Sequence, residues 1–303
     1  VNYFIIFISL IFISIESRAQ LSSRVREYQS TYLLSTGGAG AASFVGETSA
    51  ILNPATLGVQ EVSTMYYQDM DSKIDNENAT RTASGPAYSP VSASRALIIS
   101  DTTTPVKGSF GYFSQRENDA KRRRLTFTMA MPAGPSTAVG LTWRYNRLFT
   151  NFSSSYQKDI YQQLVIGTYH RITPNFTSGI VITDIFKAKQ DEGKIQVGFR
   201  YDLAMKLSFL VDFGGNFNRE LSETAFSSVA MQLNFFSQLY IRISSFSDKL
   251  LGVKGTGWGM NWQGPKMNLE FAMKSTKQSD TNSILLYADE TIQDASFAVS
   301  IAF

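Results

Sequence analysis

The sequence predicts an all-β fold, a transmembrane antiparallel β-barrel of about fourteen strands. Three observations predict it. Segment after segment alternates large apolar residues with small or polar ones, the two-residue period of a strand with unlike faces. The connections between those segments alternate in length, short then long, as they do in barrels with tight turns at one end and loops at the other. Finally, charged residues make up only 17% of the chain while Phe and Tyr number 22 and 14. Its mean hydropathy is nevertheless near zero. An apolar outer face and a polar interior cancel in this way.

Residues 1–19 read as a secretory leader. Tyr3 to Ile15 is almost continuously apolar, yet short for a membrane span, and Ser17-Arg18-Ala19 places small residues where a signal peptidase reads, giving Gln20 as the mature start. The leader departs from the usual pattern in that Val1-Asn2 carries no basic residue. No later stretch approaches 18 consecutive apolar residues, so no transmembrane helix is expected. A chain with such a leader belongs in the periplasm, the outer membrane or outside.

Residues 20–62 do not alternate. They contain a small-residue run, Gly37-Gly38-Ala39-Gly40, then Glu47, then Ala50-Ile51-Leu52-Asn53-Pro54-Ala55-Thr56-Leu57. Asn53-Pro54 starts a turn, because the residue before a proline is pushed out of the helical region. The glycine run is no phosphate loop, since it lacks the Gly-Lys-Ser/Thr ending and a preceding buried strand. In this order Gly37, Gly38, Ala39, Gly40, Glu47, Ala50, Asn53, Pro54, Ala55 and Leu57 resemble the N-terminal segment of the long-chain fatty-acid transporter (FadL) family, which the related PorV and PorQ proteins share. Where that family more often has Asp, this chain has Glu47. The resemblance implies a fourteen-stranded barrel in the bacterial outer membrane, residues 63–303, with residues 20–62 folded inside as a hatch.

From about Ser63 the chain reads as strands and turns. Two weaker strands are expected near Met65–Asp71 and Ser94–Ser100. Clear alternation runs through Leu125–Met131, Val139–Tyr145, Ile195–Leu203, Leu207–Phe213, Thr256–Trp262 and Met267–Met273. Residues 132–136, 173–175, 204–206, 236–238 and 264–266 are tight turns. Residues 115–124, 147–159, 187–193, 219–223, 248–254 and 275–294 are expected as longer connections on the opposite, external side. In the last stretch Phe297, Val299, Ile301 and Phe303 share one face. It resembles the C-terminal insertion signal that the barrel-assembly machinery reads on outer-membrane barrels.

The composition narrows the chemistry. No cysteine means no disulfide framework and no thiolate metal site, and a net charge of +3 does not suggest a nucleic-acid partner. The single histidine, His170, sits at a strand end beside a tight turn with no Ser and acid at readable spacing, so it reads as a rim residue. No catalytic set, metal cluster or cofactor site is expected. Arg144, Arg200, Asp202, Asp212, Arg242, Glu270 and Lys274 fall on the polar faces of their strands, where a barrel tolerates charge. They fill the interior as cross-strand pairs, hold the N-terminal segment, or line a path. Arg200 and Asp212 are expected close enough to pair. Arg122-Arg123-Arg124, placed where an external loop re-enters, meets anionic lipid headgroups or forms a solvated loop face. The resemblance implies uptake of hydrophobic small molecules such as fatty acids. The alternatives are a PorV-like role in protein secretion or surface attachment, with a secreted protein as partner, and a structural barrel or porin.

Overall fold

A strand whose side chains alternate between large apolar and small or polar has one face for lipid and one for a crowded interior. In the computed structural model of the chain this pattern produces a closed barrel. The structure describes residues 26–75, 90–117, 120–152, 155–189, 192–203, 206–236, 238–278 and 291–303. The predicted leader, residues 1–19, lies outside them.

The strands are β1 (Thr64–Asp75), β2 (Pro90–Asp101), β3 (Lys107–Glu117), β4 (Ala120–Pro132), β5 (Thr137–Phe152), β6 (Ser155–Thr173) and β7 (Phe176–Thr183). They continue as β8 (Lys194–Leu203), β9 (Leu207–Asn216), β10 (Phe226–Phe235), β11 (Leu239–Asp248), β12 (Val253–Gln263), β13 (Met267–Gln278) and β14 (Thr291–Ala302). Each pairs antiparallel with its sequence neighbours, and β14 pairs with β1 to close the ring, from Thr64↔Ala302 to Asp75↔Thr291. No helix among the described residues is long and apolar enough to cross a membrane.

The outward face is an apolar belt. Phe209, Val211 and Phe213 on β9 and Trp258, Met260 and Trp262 on β12 are exposed on it, as are Phe297 and Ile301 on β14. Phe110, Phe127, Trp143 and Tyr145 make successive ring contacts across β3, β4 and β5, with centroids 5.2, 5.6 and 6.1 Å apart. Such pairs each add about 0.5–1.5 kcal/mol beyond area burial. Inward positions are small or polar: Ser296 and Ala298 on β14, and Thr126, Thr128 and Ala130 on β4, are buried.

Two expected loops are strand. The ladder runs through most of residues 115–124 and 147–159, with Gln115↔Arg122 and Arg147↔Ile160 in register. Above the belt the outward residues no longer need to be apolar, so the two-residue hydropathy period fades while the backbone ladder continues. The arginine triplet is therefore part of β4: Arg122 and Arg124 point inward and are buried, and Arg123 points outward and is exposed.

Val211 sits mid-belt, in register with the outward-facing Val229 and Phe199. Val211→Arg should lower unfolding free energy in lipid vesicles by about 2–4 kcal/mol, against about 0–1 kcal/mol for Ser227→Arg at the belt's upper edge, opposite Phe213. Denaturant titration of the reconstituted barrel reads both values.

Candidate functional site

The interior is occupied by the chain's own N-terminal segment. It forms helix α1 (Thr31–Ser35), helix α2 (Gly46–Ile51) and a 3-10 turn, Pro54–Val59. Ser30 caps α1 by accepting from Leu33 N at 3.2 Å. Gly37 and Gly38, at φ +64° and +95°, then reverse the chain in a conformation that L side chains rarely adopt. Tyr28, Tyr32, Leu33, Leu34, Ala41, Ala55 and Leu57 are almost wholly buried.

The Gly-Gly-Ala-Gly stretch is held by its backbone. Gly40 N and Ala41 N both donate to Asp212 Oδ2 on β9, at 2.9 and 2.8 Å, and Gln196 Nε2 donates to the same oxygen at 2.6 Å. Ser228 Oγ donates to Gly37 O, and Thr177 Oγ1 to Ala42 O. A carboxylate that accepts two successive amides fixes both the position and the direction of the segment.

Asn53 is the second anchor. Its amide donates to Ala41 O at 2.6 Å within the segment and to Thr168 O at 3.0 Å on β6, and its side-chain oxygen accepts from Ala55 N at 3.1 Å. Pro54, at the first position of the 3-10 turn, needs no amide hydrogen there. This turn lies against a glycine surface on the wall. A Cβ on Gly140 would stand 2.6 Å from the carbonyl carbon of Pro54, and one on Gly167 would collide with Asn53 Oδ1. A Cβ on Gly179 would collide with Ala41 O. In the ladder Gly140 faces Gly167 and Gly179 faces Gly198. On the other side of the barrel Gly259 lets Ser35 approach in the same way.

Charge supplies the third set of contacts. Glu27 lies among Arg122, Arg124 and Arg144, with Arg144 Nη1 at 3.4 Å. Burial pushes the Glu27 carboxyl up, but the three guanidiniums outweigh it and hold it well below the usual range. Glu192, between β7 and β8, takes Arg122 Nη1 at 3.1 Å and Gln163 Nε2 at 2.7 Å. Arg26 pairs with Asp294 at 3.2 Å. Arg242 stacks over Tyr32 at 4.5 Å and reaches Glu270 Oε1 at 3.3 Å, which also accepts from Asn261. Lys274 donates to Gln29 Oε1 at 2.8 Å.

Arg200 does not meet Asp212. It pairs with Asp202, two residues along its own strand, at 2.9 Å and lies over Phe44. Asp212 Oδ2 is already taken by the backbone amides and Gln196, and in the ladder it stands opposite Gly198 rather than Arg200. Glu47, on α2, is buried, and its Oε1 has no partner among the described residues. Burial first, then the nearby Glu270, pushes its carboxyl up to about 8. His170 is exposed, with Thr137 Oγ1 at 2.8 Å from its Nδ1.

Above this segment is a cavity of about 180 Å³. Leu33, Leu34, Ile51 and Leu52 of the segment line it, together with Met70, Phe226, Phe246 and Ile292 of the wall. Arg26, Glu27, Arg144, Lys194 and Asp294 form its polar part. Its wall residues come from the strand ends opposite the turns after β4, β6 and β12.

Sequence reasoning found the segment's motif and several inward charges. It missed Glu27, Glu192, the inward roles of Arg122 and Arg124, and the receiving glycines Gly167 and Gly179. A glycine on the polar face of each of four successive strands, β5 to β8, was the signal available.

Gly167→Ala should displace Asn53 and loosen the segment while the barrel still forms. Hydrogen exchange at residues 53–58 should accelerate by at least about ten-fold, the equivalent of one or two lost hydrogen bonds at about 1 kcal/mol each, with heat-modifiable migration unchanged. Glu47 gives a pH dependence. A carboxyl raised in the folded state stabilises fully below its unfolded pKa, and that stability is lost as pH rises to the folded value near 8. Protection factors in α2, with the base-catalysed intrinsic exchange rate divided out, should therefore fall between about pH 4.5 and 8, and Glu47→Gln should flatten that fall.

No family model matches the chain, and no curated protein matches it in sequence. Its structure is similar to solved ones. The toluene transporter TbuX of Ralstonia pickettii superposes with a TM-score of 0.67 at 12% identity, covering 91% of this chain and 99% of that one. The monoaromatic hydrocarbon channel CymD gives 0.68 at 12% identity, covering 89% and 96%. A FadL homologue of Pseudomonas aeruginosa gives 0.61 at 8% identity, covering 90% and 98%. The chain thus has the fold of the FadL-type fourteen-stranded barrels.

Proposed function

We propose that the chain is an outer-membrane channel for uptake of a small apolar molecule about one aromatic ring in size, with residues 20–62 as the hatch that closes it. The observation that carries this reading is the apolar cavity inside an otherwise polar lumen, floored by Leu33, Leu34, Ile51 and Leu52. Apolar pockets with a few polar groups are the usual form of a small-molecule site. At about 180 Å³ the cavity resembles in size the cavity of about 150 Å³ in another protein that takes benzene. An extended long-chain fatty acid would reach past that volume into the open end of the barrel. The apolar belt supports a membrane location, and the likeness to toluene and monoaromatic hydrocarbon transporters supports both location and substrate class. A channel needs no catalytic set, and the reading assigns none. An open porin is disfavoured because the segment is packed against several sectors of the wall, from β12 and β13 round to β4, β5 and β6.

Vesicles whose outer leaflet is lipopolysaccharide, a leaflet that slows apolar solutes, should admit toluene faster when they carry the barrel than when empty, and should show little ion conductance. Leu52→Trp, which fills the cavity, should reduce toluene entry by about ten-fold, the order expected when apolar burial of a ring is lost. Free ion conductance with no effect of Leu52→Trp would point to a porin. Neither activity, with secreted proteins co-purifying, would point to the secretion role.

A further inference from the structure

The outward face above the apolar belt carries a cluster of cations, one of which, Arg116, also borders the cavity. On β3 to β6 the outward positions beyond Tyr112, Leu125, Tyr145 and Ile160 include five cations, Arg116, Lys121, Arg123, Arg147 and Lys158. All but the half-buried Lys121 are exposed. Arg116 stands directly opposite Lys121, and Arg123 directly opposite Arg147. Like charges at opposed cross-strand positions repel.

The inward neighbours on the same strands are treated differently. Arg122, Arg124 and Arg144 have Glu27 and Glu192 as counter-ions. No carboxylate pairs with any of the five outward cations among the described residues. The two central guanidiniums are laid along the wall: Arg123 lies 5.9 Å from the Phe149 ring, and Arg147 lies 5.2 Å from the Tyr145 ring and donates to its hydroxyl at 3.2 Å. The cluster is thus held at the belt's upper edge, at the end opposite the tight turns, with its charge unmatched among the described residues.

We infer that Arg116, Lys121, Arg123, Arg147 and Lys158 form a binding site for the phosphate groups of an outer-leaflet lipid, a bis-phosphorylated glycolipid of the lipid A kind. Guanidinium pairs match phosphate geometry, and the height puts them at the headgroups when the belt sits in hydrocarbon. Two like-charge pairs side by side suit two phosphates better than one. The inference rests on the outer-membrane part of the function proposed above, and is independent of what the lumen carries.

The test uses the full barrel in phosphatidylcholine nanodiscs doped with bis-phosphoryl lipid A, monophosphoryl lipid A or phosphatidylglycerol, with retained lipid counted by native mass spectrometry. The wild type should retain bis-phosphoryl lipid A about ten-fold better than Arg123→Gln/Arg147→Gln, with the monophosphoryl form between, and pyrophosphate in solution should not displace it. Equal retention by wild type and variant overturns the site. So does equal retention of phosphatidylglycerol, which would mean a generic anionic surface, or displacement by pyrophosphate, which would mean a free-phosphate site. In detergent without phosphorylated lipid, the double variant should unfold at the same or a higher temperature, because repulsion is relieved. Earlier unfolding would make the arginines structural and refute the proposal. Toluene entry measured on the same protein in vesicles keeps the two readings apart: its loss with lipid retention intact in nanodiscs removes the channel reading alone.

Discussion

Backbone closure is the constraint from which the rest of the structure follows. In hydrocarbon an unpaired amide or carbonyl is too costly to expose, so a sheet can face lipid only if it has no edge. The β1–β14 ladder supplies that closure along its whole length, from Thr64↔Ala302 to Asp75↔Thr291. Once the ring is shut, every strand has one side outward and one inward, and the side chains divide accordingly. Val211 goes to the belt and Asp212 to the lumen because they are successive residues on one strand.

A closed ring of fourteen strands leaves an interior that side chains alone do not fill. Here the chain's own start fills it, and two complementary devices hold it there. Glycines on the wall remove side chains where the segment's backbone must come close, at Gly140, Gly167 and Gly179. Polar side chains reach inward where backbone groups need partners: Asp212 for the amides of Gly40 and Ala41, Ser228 for Gly37 O and Thr177 for Ala42 O. Asn53 ties the ends of this arrangement together, since its one amide bonds both Ala41 in the segment and Thr168 on the wall. The segment's upper apolar residues, Leu33, Leu34, Ile51 and Leu52, pack in part against the wall, Leu34 with Met70 and Ala272 and Leu52 with Val165 and Val181, and they also floor the cavity.

Charge is divided by the same alternation. In the triplet Arg122-Arg123-Arg124 the outer two members point inward and join the network that holds Glu27, while the middle one points to the outside. Three like residues in a row therefore serve two environments. Inward, burial makes an unpaired guanidinium intolerable, and each has an acid. Outward, the interface with solvent and lipid headgroups tolerates it.

The sequence by itself indicated about fourteen strands, the inward and outward residues of the stretches that alternate clearly, and the alternation of tight turns with longer connections. Those properties depend on a two-residue period and on turn residues, both local. It also marked residues 37–57 as a distinct segment through a motif resemblance. Only the tertiary structure decided how far the strands continue past the belt, because the ladder there is held by backbone bonds that leave no hydropathy pattern. It also decided that Arg200 takes Asp202 while Asp212 takes backbone amides, since that choice depends on where a segment some 170 residues earlier in the chain comes to rest. The cavity is of the same kind. Its floor and its wall are far apart in sequence, and its size is set by how deeply the segment sinks onto glycines of strands it does not adjoin.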